Sequence, residues 1–92
     1  MRIAQVIPRE GGQVWVIAED GRAGLFDVSP YLTSPAFKPI EEWAEFSQIR
    51  NGGYFVEWPC GADLSADTIE ARWTLSTNGH APQGTAAAGQ SR

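Results

Sequence analysis

Residues 57–69, EWPCGADLSADTI, hold the side chains with the most chemical reach in this sequence: Glu57, Cys60, Asp63 and Asp67. A thiol nucleophile needs a base within hydrogen-bond reach. The one histidine, His80, lies in a C-terminal stretch poor in apolar residues, so a Cys–His pair is not expected. Cys60 reads instead as a turn residue after Pro59. The carboxylates lack the dense, regular spacing of a calcium loop. A glycosidase pair would need a cleft and a fixed separation, and the sequence signals neither. Each has a structural task available: Asp63 in a turn or cap, Asp67 in the first turn of a helix, Glu57 on the surface. Gly11-Gly12 and Gly52-Gly53 match neither phosphate-loop pattern and read as turns. Ser29 and Ser65 have no base at motif spacing and read as helix caps. No catalytic residue, cofactor or metal is therefore expected.

These residues need a frame, and composition bounds it. The chain has 92 residues, 42% hydrophobic and 20% charged, enough for one globular domain. After Leu75 there is no Val, Ile, Leu, Met, Phe, Trp or Tyr. Residues 76–92 cannot bury enough surface to offset their ordering entropy and are expected to be disordered, leaving a domain of residues 1–75. The net charge is −4 and no basic run exists, which argues against direct nucleic-acid binding. A single cysteine rules out an internal disulfide and fits a reducing cytoplasm. The N-terminus lacks a signal-peptide pattern, and no apolar run approaches a membrane span.

The elements follow from periodicity and turn chemistry. Residues 2–8 predict a first strand ending near Pro8. Apolar runs on both sides of Asp20-Gly21 predict a hairpin, since that pair favours the positive φ of tight turns. KPIEEWAEF predicts a helix of about two turns, with Ile40, Trp43 and Ala44 on an inward face that Phe46 extends. Asn51-Gly52-Gly53 predicts a second hairpin with Tyr54, Val56 and Trp58 on one face. LSADTIEARW predicts a terminal helix capped by Ser65, with Ile69 and Trp73 on one side. The fold class is α+β: a small, mainly antiparallel sheet built from two hairpins and an N-terminal strand, packed by two short helices.

Apolar residues mark both faces of the first hairpin. Val14, Val16 and Ala18 share one face, Trp15 and Ile17 the other, and the partner strand carries Leu25 on one face and Phe26 and Val28 on the other. A half-solvated strand would alternate with polar residues, so both faces are expected to be covered, the second within the chain or by a copy of it. Trp43, Trp58 and Trp73 are assigned to the core. Trp15, Ile17, Phe26 and Phe55 are the candidate interface.

The motif order EDGRAGLFDVSPYL, FKPI, VEWPCGADLSADTI resembles the bacterial family known as domain of unknown function 2442. The resemblance spans about residues 3–70. Its signature residues here are Asp27, Ser29, Pro30 and Leu32, then Phe37, Pro39 and Ile40, then Trp58, Pro59, Gly61, Asp63, Leu64 and Asp67. Cys60 stands where Asn or Asp is more usual. The resemblance implies a small α+β fold and no established activity. It also implies relatives with a helix-turn-helix domain, or with a second small protein in an arrangement like a toxin–antitoxin pair. This chain stops before any helix-turn-helix, so DNA binding is not carried over.

The expected function is a non-enzymatic protein-interaction or regulatory module, antitoxin-like within a two-protein system, with a protein partner, a homodimer as one form, and neither nucleic acid nor membrane. The alternatives are an acidic DNA mimic or nuclease inhibitor, and an enzyme using Glu57, Asp63 or Cys60.

Overall fold

The fold is taken from a computed structural model, which describes residues 1–76. Strands β1 (Ile3–Arg9), β2 (Gln13–Ala18) and β3 (Ala23–Asp27) form an antiparallel meander, and β7 (Thr74–Leu75) adds to β3. A second antiparallel sheet holds β4 (Arg50–Asn51), β5 (Phe55–Glu57) and β6 (Asp63–Ser65) in that order. Helices α1 (Trp43–Phe46) and α2 (Ala66–Arg72) complete the α+β domain, together with 3-10 segments at Ser29–Tyr31 and Pro35–Glu41.

Turn chemistry explains the first sheet. Arg9 pairs with Gln13, so Glu10, Gly11 and Gly12 close the β1–β2 turn, and both glycines have positive φ (89° and 78°). Only glycine adopts that conformation at little cost. At the β2–β3 turn Ala18 and Arg22 exchange a backbone bond, and Asp20 Oδ1 accepts from the Arg22 N–H. Pro8 falls inside β1, which it can do because β1 is the edge strand and one row of its backbone groups has no ladder partner. The register slips between Ile3 and Gln5, a bulge that returns Ile3 to the core face opposite Ala18.

The core lies on the Val14–Val16 face. Val14 pairs with Phe26, and both join Val28, Ile40, Phe46, Val56, Trp58 and Ile69 in one buried cluster. Trp58 donates its Nε1–H to the Phe46 carbonyl at 3.0 Å, tying the second sheet to α1. Rings run in contact from Phe26 through Tyr31, Phe37, Trp58 and Phe46 to Trp43, with centroids 5.7–6.2 Å apart. The two sheets meet where Ile3 N–H donates to the Gly53 carbonyl (2.7 Å) and the Asn51 amide donates to the Ile3 carbonyl (2.9 Å).

Four elements depart from the sequence expectation. The single helix over KPIEEWAEF is two pieces. Pro39 has no N–H to give an α-helical ladder, and Glu42 takes an extended backbone (ψ 130°) before α1 begins. Ile40 and Phe46 still point inward, but the break sends Ala44 and Trp43 to the surface, Trp43 46% exposed. Ser29 is not a cap: Val28 precedes the 3-10 turn, and the Asp27 carboxylate accepts the Ser29 N–H at 3.0 Å. Residues 63–65 form β6 rather than a plain turn into the helix, because Trp58 N–H bonds the Ala62 carbonyl and folds WPCGA into a hairpin loop. After Trp73 the chain continues as β7. There Gly24 is needed: a Cβ at that site would lie 2.9 Å from the Trp73 ring and from the Thr74 carbonyl.

Ser65 caps α2 as expected, its Oγ accepting from Thr68 N–H at 3.1 Å, with Asp67 in the first turn. Ser76 N–H still bonds the Ala23 carbonyl, and the remainder of the segment expected to be disordered lies outside the described residues. Among the described residues no helix is long and apolar enough to cross a membrane.

Candidate functional site

The residues first suspected of chemistry are apart from one another in role. Cys60 is exposed at the tip of the β5–β6 loop, its Sγ 4.0 Å from the Ala36 carbonyl. His80 lies outside the described residues. Glu57 is ion-paired with Arg50 (2.6 Å) and faces Asp63 across the β5–β6 ladder. Asp63 makes neither a turn nor a cap bond and starts β6 instead. Among the described residues no group of three or more His, Cys, Asp and Glu side chains is placed to hold a metal ion.

The candidate interface is divided by the fold. Phe26 is 2% exposed and belongs to the core, because its register with Val14 turns it to the helix-covered side. Phe55 (39% exposed) sits in the second sheet, so it cannot continue a surface with Trp15. Trp15 and Ile17 do lie on the other face of the first sheet, beside Ile7 and Leu25, outside the core cluster. Trp15 is 3% exposed, so its side chain is covered within the chain, and its Nε1 has no hydrogen-bond partner. Of the signature residues, Trp58 is core, Pro59 and Gly61 shape the loop, Asp27 anchors Ser29, and Pro30 starts the 3-10 turn.

A cleft of about 390 Å³ opens where three loops converge, a size typical of ligand pockets. The Glu10-Gly11-Gly12 turn forms one side. Ser29 and Leu32, from the first signature stretch, form the next. Ile40, from the second, makes the floor with Phe46, and Glu41 and Trp43 close the last side. Gly12 lies tight against Ser29, since a Cβ there would approach the Ser29 hydroxyl to 3.0 Å. The floor residues Ile40 and Phe46 are apolar and buried, while Trp43 is 46% exposed, its ring tilted against Phe46 with centroids 6.0 Å apart.

Two carboxylates, Glu10 and Glu41, and no cation among the described residues line the cleft, with Arg9 next to Glu10 in the chain. Away from it, three arginines are paired: Arg2 with Glu19 (2.9 Å), Arg22 with Asp20 (2.9 Å) and Glu70 (2.7 Å), Arg50 with Glu57. Those contacts hold Glu70 below the usual carboxylate range, chiefly through the Arg22 hydrogen bond and then the N-terminal ammonium. Asp20 is also lowered, first by the Arg22 backbone N–H. Of the cleft's carboxylates, Glu41 pairs with Lys38 (3.2 Å) and Glu10 makes no ion pair among the described residues; nor do Asp27, Glu42 and Glu45, which do not line it. Glu45 also has one carboxylate oxygen buried without a hydrogen-bond partner.

A family model described as "Protein of unknown function (DUF2442)" matches residues 3–74. The chain belongs to this family. The match takes in both sheets, both helices and every residue of the cleft. Searches of curated proteins and of solved structures find no match. Sequence reasoning named the DUF2442 signature but missed Glu10, Glu41 and Trp43. The available signal was Pro39, which breaks the helix between Ile40 and Trp43 and separates their faces.

Proposed function

We propose that this DUF2442 domain is a non-enzymatic protein-interaction module that works in the cytoplasm as one half of a two-protein system, in the manner of an antitoxin. One observation carries the reading: a preformed concave cleft whose wall is a half-exposed tryptophan. Large aromatics are costly to leave open to water and are enriched where partners bind. The carboxylates Glu10 and Glu41 in the cleft lining favour a basic partner surface and would speed encounter with one.

The test is site-specific photo-crosslinking in cells of the source organism. A photoreactive residue in place of Trp43 should capture a defined protein, and one in place of Asp67 on the far helix should not. Equal capture from both positions, or from neither, would reject the reading.

The same acidic end supports a second reading, a DNA mimic that occupies a nuclease groove. It requires that duplex DNA compete with the domain for the captured protein. A third, enzymatic reading would lose its basis if replacing Glu57, Cys60 and Asp63 by Ala left the biological phenotype intact. Self-association, through the half-buried Ile7, Ile17 and Leu25 beside the buried Trp15, belongs to the same proposal, and light scattering on the purified protein measures it directly.

A further inference from the structure

We infer that the cleft is built to take an arginine side chain from an exposed segment of the partner, with its alkyl stem on the Ile40–Phe46 floor and its guanidinium between Trp43 and Glu10. The inference rests on the interaction reading and names the chemistry that the partner must supply.

Three features select this occupant. The floor is apolar, so it favours an alkyl chain over a hydrated polar group. The wall includes the half-exposed Trp43 indole, and a planar guanidinium stacks on an indole better than an ammonium does. The rim is anionic: Glu10 has no ion pair among the described residues, Glu41 has only exposed Lys38, and no cation lines the cleft. A guanidinium can stack with its face and bond a carboxylate with its edge simultaneously. An ammonium offers a point charge, and a neutral amide offers no charge.

The surroundings point the same way. Carboxylates elsewhere in the described residues are largely matched by arginines, as with Glu19, Asp20, Glu57 and Glu70. Of the carboxylates that line the cleft, Glu10 makes no ion pair among the described residues and Glu41 has only Lys38. An incoming guanidinium would meet these two carboxylates in competition with Arg9, the chain neighbour of Glu10. The Gly11-Gly12 turn keeps that side of the cleft free of side chains, so a partner's backbone can approach closely while its side chain enters.

The experiment uses the full chain, isotopically labelled, and four probes: capped Gly-Arg-Gly, Gly-Lys-Gly and Gly-citrulline-Gly peptides, and spermidine. Expected are saturable NMR shifts at the Gly11 and Gly12 amides, the Ser29 amide and the Trp43 indole with the arginine peptide. The citrulline peptide should bind about tenfold more weakly, because it keeps the shape and loses the charge-assisted bonds. Raising the salt from 50 to 500 mM should weaken the arginine peptide several-fold. Glu10→Gln, in an exposed turn where the fold is not at stake, should weaken it at least threefold, and Trp43→Leu should abolish saturation.

Equal binding of the citrulline and arginine peptides would overturn the inference. So would lysine binding as tightly as arginine, spermidine shifting the same residues as strongly, or no saturable shift at all. If crosslinking from position 43 captures a partner and the arginine peptide neither binds nor competes, the interaction reading stands and the arginine assignment alone falls.

Discussion

Trp58 is the point where the fold holds the cleft in place, and Trp58→Phe tests how. The indole is fully buried and donates to the Phe46 carbonyl at 3.0 Å, while its ring packs on Phe46 at 5.9 Å. The substitution removes the donor and part of the ring. The lost hydrogen bond is worth about 1 kcal/mol. It is not worth the ~3 kcal/mol of a stranded carbonyl, because Phe46 O also accepts from Ile49 N–H at 3.2 Å. The smaller ring leaves a void of roughly 40 Å³, which at ~24 cal/mol per Å³ adds about 1 kcal/mol, with a further ~1 kcal/mol of lost transfer energy. The sum is about 2–3 kcal/mol, a large share of the stability of a domain this size. Urea unfolding followed by far-UV circular dichroism measures it. Trp43→Phe is the control: Trp43 is 46% exposed and its indole N–H makes no hydrogen bond among the described residues, so it should cost under ~0.5 kcal/mol. A loss below ~1 kcal/mol for Trp58→Phe, or equal losses for the two variants, would refute the assignment of Trp58 as the anchor of α1.

Further outcomes follow from single contacts. Gly24→Ala should cost about 1–3 kcal/mol by forcing the new methyl against the Trp73 ring and the Thr74 carbonyl, read as a lowered melting temperature with altered tryptophan fluorescence. Ser65→Ala should cost about 1 kcal/mol, because the Thr68 N–H loses its cap, and Ser65→Asp should recover most of it, both measured by urea titration. Glu70 is lowered in the folded state by Arg22 and the N-terminal ammonium, so its stabilising effect is complete above its unfolded pKa of about 4.3 and is lost as pH falls through its lower folded pKa. Glu70→Gln should therefore reduce stability at pH 7 and flatten the acid limb of a stability–pH curve. An unchanged acid limb would mean that the Arg22–Glu70 contact does not persist in solution.

The sequence by itself determined the features that local chemistry governs. Asp20-Gly21 and Asn51-Gly52-Gly53 mark turns because few residues tolerate their backbone, and both turns lie where those residues fall. Ser65 caps α2 because its hydroxyl needs only a backbone N–H three residues on. Alternation placed Val14 and Val16 against Trp15 and Ile17 on opposite faces, and the motif order pointed to the family that the family model matches over residues 3–74. Tertiary structure decided the rest. Short strands such as β6 and β7 carry too few residues to show a period; they exist because β5 and β3 offer open ladder edges. Phe26 was assignable to either face until its register with Val14 was fixed. Trp43 sits at the correct spacing for an inward helical face, and only the extended backbone at Glu42 sends it to the rim. The cleft itself draws on a turn, two 3-10 segments and a short helix from residues 10 to 46, and a distance in space among such elements leaves no trace in their spacing along the chain.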